Sequence, residues 1–294
     1  MRPTAQLRAL LALEGAVIAP GVADALNARL VAQHKFEAIY MTGAGTTATR
    51  LGMPDVGLLT MTEMVDNAAR IADASGLPVI ADADNGYGGV LNVRRTIQSY
   101  ERAGVAAIHL EDQVIPKRCG HLAGKQVVPI EEMVVKIKAA TDARVDQDFL
   151  LIARTDAIAV EGFERALERA EIYRSDGADV IFVEAPNREQ LPKIAPQIRA
   201  PLLYNMAASG KTPFLTKDEI ERLGFKIIIY PNWIVLAQIR AASRVLKTLK
   251  ETGSIAGLAN EVASFREFFD LVGMQEVQAL EGRYGIAEET RARY

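Results

Sequence analysis

Short apolar runs with strand character recur along the chain, and helical patterning follows each of them. They are Ala16–Ala19, Ala38–Met41, Pro78–Ala81, Ala106–Leu110, Leu150–Ala153, Val180–Val183, Pro201–Tyr204 and Ile227–Tyr230. Continuous rather than alternating hydrophobicity suits parallel strands buried on both faces. The intervening segments carry helix punctuation. Thr60-Met61-Thr62-Glu63 has capping-box spacing, and the helix it opens is expected to stop near Gly76. Leu91 to Ala103 reads as a helix closed by Gly104, Glu161 to Ser175 as one ending near Gly177, and Thr216 to Leu223 as one running into Gly224.

Strands alternating with helices mean βαβ units, and eight units in about 250 residues predict an α/β fold of the closed (β/α)8, TIM-type barrel. An open doubly wound sheet is the alternative. The 294 residues then divide into a catalytic barrel over 1–250 and a helical extension over 251–294 belonging to the same domain. Trp233 to Leu249 is expected as a long helix. Ala259 to Leu280 adds helical material with Phe265, Phe268, Phe269 and Val272 on a shared apolar stripe. That stripe packs either on its own barrel or on a neighbouring subunit. The N-terminal run Ala9–Leu13 after Arg2 and Arg8 is interrupted by Glu14, so it reads as an amphipathic helix covering one end of the fold.

Composition adds exclusions. Hydrophobic residues make up 49% and charged residues 24%, with a net charge of −3 and a pI near 5.8. No basic footprint recommends nucleic acid or an anionic membrane. No apolar run approaches the roughly 18 residues of a membrane span, and a cytoplasmic setting is expected. A single cysteine rules out an intramolecular disulfide framework and leaves one thiol to explain.

The polar residues collect where the predicted strands end. Thr42-Gly43-Ala44-Gly45-Thr46, Asp82-Ala83-Asp84, His109-Leu110-Glu111-Asp112, Arg154-Thr155-Asp156, Glu184 and Asn205 all stand at C-terminal ends, the face on which barrel active sites are built. Strand alternation would point Asp82 and Asp84 to one side, and His109 with Glu111. Carboxylates about 6 Å apart repel by roughly 3 kcal/mol at an effective dielectric near 20, which a proton or a cation relieves. With Glu111 as a third oxygen donor and no histidine–cysteine cluster, Mg2+ or Mn2+ is favoured over Zn2+. The plain alternative is that one aspartate caps a helix while the other pairs with a cation such as Arg154.

Lys117-Arg118-Cys119-Gly120-His121 surrounds the lone thiol with two cations and a histidine, which lowers a thiol's pKa and raises its reactivity. Metal, thiol and Arg154 together suit a polyanionic substrate. No phosphate-cradling loop and no dinucleotide fingerprint follows any strand, and Gly86-Tyr87-Gly88-Gly89 reads as a flexible turn.

At these residues the chain resembles the isocitrate lyase and phosphoenolpyruvate mutase superfamily. Lys117 to His121 matches the lyase signature K-[KR]-C-G-H. Tyr40-Met41-Thr42-Gly43, Leu51 to Asp55, Asp82 to Asp84, Glu111-Asp112-Gln113, Ala153 to Asp156 and Glu184-Ala185 follow in the expected order. The resemblance implies a barrel whose eighth helix is exchanged between subunits, in a homotetramer, and a Mg2+-dependent site. It would place Asp84 directly on the metal, with Asp55, Asp82 and Glu111 around it through water. Backbone amides of Thr42, Gly43 and Ala44 would hold a substrate carboxylate. Arg154, Gly120, His121, Glu184 and Asn205 would complete the substrate's surroundings. Cys119 would protonate the carbanionic product, tuned by Lys117 and His121, and Tyr40 would handle the 2-hydroxyl proton.

The implied reaction is cleavage of a branched 2-hydroxydicarboxylate of the 2,3-dimethylmalate kind to a 2-oxo acid and a carboxylate. Ala207 stands where lyases of tricarboxylic substrates carry a hydroxyl residue, whereas Gly210 to Pro213 matches the dimethylmalate-type members and the carboxyphosphonoenolpyruvate phosphonomutases alike. Pro231 departs from the serine of the oxaloacetate hydrolase branch. A 2-methylisocitrate lyase, a phosphonate P–C mutase of the carboxyphosphonoenolpyruvate type and a non-catalytic carboxylate-binding barrel are the alternatives.

Overall fold

The structure is a computed structural model, and it describes residues 1–120, 123–209 and 211–292. The chain divides into two units, Met1–Ile234 and Val235–Tyr294.

The first unit opens with α1 (Pro3–Ala12), β1 (Val17–Val22), α2 (Ala25–Gln33), β2 (Ile39–Met41), α3 (Gly43–Leu51), α4 (Met61–Ser75) and β3 (Val79–Asp82). It continues through α5 (Val90–Arg102), β4 (Ala107–Glu111), α6 (Ile130–Ala143), β5 (Leu150–Thr155), α7 (Phe163–Ser175), β6 (Val180–Val183), β7 (Leu202–Asn205), α8 (Lys217–Arg222) and β8 (Ile227–Tyr230). The eight strands pair in sequence order into a closed barrel, and β1 meets β8 in parallel with Val17 opposite Ile227.

Alternation along each strand sorts the core into two layers. Val17, Ala19, Tyr40, Ile80, Ile152, Phe182, Leu203, Ile227 and Ile229 form one buried cluster with Leu7 of α1, against which Leu10 and Leu11 also pack. The other strand residues, including Ile39, Met41, Val79 and Ile108, pack in a second cluster with helix residues such as Met64, Ile71, Ile97 and Ile137. The expected caps are present. Thr60 and Glu63 close a capping box on α4, which ends at Gly76 in the left-handed region, φ +64°. Thr216 and Glu219 repeat the device on α8.

Three expectations need correction. The β6–β7 connection holds no α-helix, only a single 3-10 turn at Leu191–Lys193. Pro186, Pro192, Pro196 and Pro201 punctuate that segment, and each proline removes an amide donor that a helix interior needs. The Thr42 amide, expected to hold a substrate carboxylate, donates instead to the Val22 carbonyl at 3.1 Å, while the Thr42 hydroxyl accepts the Gly45 amide at 3.2 Å and caps α3. Asp84 lies beyond β3 with φ +47°, so strand alternation does not orient it.

The second unit continues the helix α9 (Trp233–Thr252), followed by α10 (Phe265–Leu271) and α11 (Met274–Arg283). The helical material expected over Ala259 to Leu280 is broken at Gly273, φ +84°. Among the described residues of this unit, Phe265 is 78% and Leu246 65% exposed. No helix among the described residues is long and apolar enough to cross a membrane.

Candidate active site

The C-terminal ends of the strands surround a small cavity of about 40 Å3, lined by residues that include Tyr40, Thr42, Ala44, Asp55, Asp82 and Glu111. Lys117, Cys119, Gly120, Arg154, Glu184 and Asn205 continue the wall, and Ala207, Pro231 and Asn232 complete it. Gly43 and Asp84 back it without lining it. A Cβ on Gly43 would collide with the Asp82 carboxylate, and Asp84 is reached through Lys117. His121 lies outside the described residues. The sequence thus names most of this wall.

The first charged group centres on Lys117. Its Nζ stands 2.7 Å from Asp55 Oδ1 and 2.6 Å from Asp84 Oδ1, with the ammonium only 4% exposed. The cation beside Asp84 is Lys117 and not Arg154. Asp82 Oδ1 accepts the Asp84 amide at 3.0 Å and lies 3.5 Å from His109 Nε2. The same imidazole nitrogen is 2.9 Å from the Tyr40 hydroxyl.

Burial and charge set the protonation of this group. Burial, with the neighbouring Asp82 and Asp55 charges, pushes the Asp84 carboxyl up to about 7 even against Lys117. Burial likewise raises Glu111 well above the usual carboxylate range despite Arg154 and Lys117. Asp82 resists its own burial, because His109, Lys117 and Arg154 draw it below the ordinary value. Burial lowers His109 to about 4, aided by Arg154 and Lys117, so its ring is neutral at pH 7. The Tyr40 phenol is pushed well above its usual pKa by burial and by Asp82.

The second group centres on Arg154, which faces Glu111 across the β4–β5 register. Its Nε and Nη2 donate to the two oxygens of Asp156 at 2.9 and 3.0 Å. Nη1 lies 3.4 Å from Glu111 and Nη2 4.0 Å from Glu184, and the guanidinium sits 5.0 Å over the Phe182 ring. Burial opposes ionisation of Asp156, but Arg154 and Lys125 hold the carboxyl far below the usual range. Glu184 accepts from Asn205 Nδ2 at 3.2 and 3.4 Å.

The thiol loop docks between these groups. The Cys119 amide donates to the Asp55 carbonyl at 3.1 Å, and the cysteine itself is half-buried. Gly120 packs so tightly that an added Cβ would overlap Arg154 Nη2 and come within 2.6 Å of Glu184 Oε1.

Several contributors escaped sequence reasoning as site residues. Asp156 and Lys125 fix Arg154 and the thiol loop, Asn232 accepts the Thr42 hydroxyl at 2.9 Å, and Asp112 holds the Asp156 amide at 2.9 Å. Asp156 and Asp112 stand at strand ends and inside segments that match the family, and those were their signals.

For a divalent cation the donor chemistry fits. Asp55, Asp82, Asp84 and Glu111 are hard, buried oxygen donors, and Glu111 Oε1 is buried without a hydrogen-bond partner. Their present geometry serves Lys117, and no cluster of three or more ligating side chains is arranged around one point among the described residues.

A closed eight-stranded barrel with an acidic, cation-bridged site at its C-terminal face defines the class of protein. The phosphoenolpyruvate phosphomutase family matches residues 7–250, and the chain belongs to the phosphoenolpyruvate mutase/isocitrate lyase superfamily. It is 47% identical over 285 residues to 2,3-dimethylmalate lyase of Eubacterium barkeri, covering 97% of this chain and 99% of that one. It is 43% identical to 2-methylisocitrate lyase of Aeropyrum pernix, over 100% of this chain and 95% of the relative. A crystal structure of 2,3-dimethylmalate lyase superposes with TM-score 0.94 at 38% identity, covering 100% and 99% of the two chains. Phosphonopyruvate hydrolase in complex with oxalate and Mg2+ does so with TM-score 0.88 at 31% identity, covering 97% and 99%.

Proposed function

We propose that this chain is a Mg2+-dependent lyase that cleaves the C2–C3 bond of a branched 2-hydroxydicarboxylate of the 2,3-dimethylmalate class. The observation that carries the reading is the meeting, in one cavity, of four buried carboxylates, Lys117, Arg154 and the only thiol of the chain. The relatives named above, two of them lyases of 2-hydroxy acids and one solved with Mg2+, support it.

The free amides of Gly43 and Ala44 at the start of α3 suit one substrate carboxylate, because a helix N-terminus presents unpaired N–H groups. Arg154, held by Asp156, offers Nη1 to the substrate's oxygens. Bound Mg2+, or Mn2+, held by Asp55, Asp82, Asp84 and Glu111, would stabilise negative charge on the 2-oxo acid oxygens by several kcal/mol. The 2-hydroxyl proton passes to Tyr40 as the phenol hands its own to the neutral His109, since burial disfavours a standing phenolate. As C2–C3 breaks, C2 becomes the carbonyl carbon and the bonding pair passes to C3. The Cys119 thiol protonates C3, and the proton on His109 returns to the thiolate after product release.

Ala207 and Pro231 line the remaining wall. Neither brings a side-chain donor for a third carboxylate, which favours a dicarboxylate over 2-methylisocitrate. The exposed apolar residues of the second unit support docking on another copy of the chain, in a helix-exchanged homotetramer, and a cytoplasmic setting accompanies this reading. The test is a 2-oxo acid release screen with Mg2+ over 2,3-dimethylmalate, 2-methylisocitrate and alkylmalates. Release from dimethylmalate is expected. Silence across the panel, with turnover of a phosphonate seen by phosphorus NMR, would replace this reading with the P–C mutase.

A further inference from the structure

The loop between β4 and α6 carries Cys119 and, among its described residues, holds no regular element beyond one isolated bridge, Gln113 with Val127. A thiol that protonates one carbon of a short-lived carbanion must nevertheless be fixed to a fraction of an ångström. Among the described ties, Lys117 anchors the loop to Asp55 and Asp84. The Gln113 side chain makes two bonds to the Arg118 backbone, at 3.0 and 2.8 Å, and the Cys119 amide reaches Asp55.

A further tie is made by Lys125. Its Nζ donates to the Gly120 carbonyl at 2.6 Å and to Asp156 Oδ1 at 2.7 Å, and the side chain is only 4% exposed. The same Asp156 oxygen accepts from Arg154 Nη2 at 3.0 Å. One ammonium therefore couples the residue after the thiol to the carboxylate that orients the guanidinium. Burying a flexible lysine is costly unless its charge is paired and its donors are used, and here both acceptors belong to site elements.

We infer that Lys125 is a positioning residue, which sets the distance between the Cys119 thiol and the Arg154 guanidinium by clamping Gly120 to Asp156. The inference rests on the lyase reading for its catalytic consequence but not for its structural content.

Cys119 is the only cysteine, so thiol labelling reports on it alone. Lys125→Met keeps the apolar stem, ends one atom short of the ammonium position and removes the clamp. Its intact, Mg2+-loaded form should be alkylated by iodoacetamide at least about fivefold faster than wild type, because the thiol is no longer held half-buried. On the substrate found in the release screen, kcat should fall by about tenfold or more with KM within threefold, the pattern of a displaced proton donor. Should Lys125→Met fail to give a cooperative melting transition, Lys125→Gln is read in the same way, being one atom too short to reach both acceptors. A labelling rate within twofold of wild type in the folded variant overturns the clamp, and faster labelling with unchanged kcat overturns its catalytic role. A wild-type enzyme that releases no 2-oxo acid defeats the lyase reading and leaves the labelling comparison to decide the clamp.

Discussion

Gly120→Ala isolates the packing between the thiol loop and Arg154. Gly120 is not in the left-handed region, so alanine suffers no backbone strain there, and only space is tested. The new methyl would overlap Arg154 Nη2, stand 2.6 Å from Glu184 Oε1 and 3.0 Å from its Cδ. Neither side chain is free to swing away. Arg154 is held at two points by Asp156, and Glu184 is held by Asn205. The loop must therefore rise by roughly an ångström, carrying Cys119 with it. Overpacking of this kind costs about 1–3 kcal/mol, a fall of roughly 2–10 °C in melting temperature for a chain of this size. A displacement of about 1 Å at the reacting groups costs on the order of 100-fold in kcat/KM. Gly89→Ala is the control, since its Cβ meets nothing within 4 Å and its φ is −80°. The assay pairs calorimetric melting with 2-oxo acid release. Gly120→Ala with kcat/KM within threefold of wild type and an unchanged melting temperature would refute the packing argument.

Cys119→Ala should lower kcat by about 100-fold or more, the scale of general-acid contributions, while isothermal titration finds substrate or product binding within threefold of wild type. Asp156→Asn leaves Arg154 and Lys125 buried with an unbalanced charge, at about 3–5 kcal/mol. The folded-state pKa of Asp156 lies below its unfolded value, so its stabilisation is complete above about pH 4 and is lost only as the pH falls through the folded value. Melting curves from pH 3 to 7 should show the gap between Asp156→Asn and wild type at full size near neutrality and closing only toward the acid end; a gap that grows below pH 4 contradicts the assignment. Chelation with EDTA should abolish turnover and Mg2+ should restore it. Mg2+ should also raise the melting temperature, by the equivalent of about 2.7 kcal/mol at 100 times its dissociation constant. Full turnover after exhaustive chelation would remove the metal from the reading.

The barrel was legible because its signal is repeated. Each of eight apolar runs needs only to be buried on both faces, and a boundary error of a residue changes nothing in the order of strands. The site was legible as a region for a related reason, since strand ends converge by construction. Its pairings were not. Asp55 meets Lys117 62 residues away and Thr42 meets Asn232 190 residues away, contacts that depend on loop paths carrying no periodicity. Asp84 shows the failure most clearly, because an alternation rule was extended past the last strand residue into backbone with φ +47°.

The same residues explain why the site needs more than its own side chains. Asp55, Asp82, Asp84, Glu111, Asp156 and Glu184 face Lys117, Lys125 and Arg154 in a volume largely closed to water. Two of these cations are engaged by Asp156, which leaves Lys117 as the close partner of the Asp55–Asp84 side. Burial raises the Asp84 carboxyl to about 7 and Glu111 above the usual range, and the neighbouring carboxylates add to the rise against Lys117 and Arg154. A divalent cation among these oxygens would reverse that pressure. Removing one of these carboxylates would then weaken Mg2+ binding more than it weakens the fold.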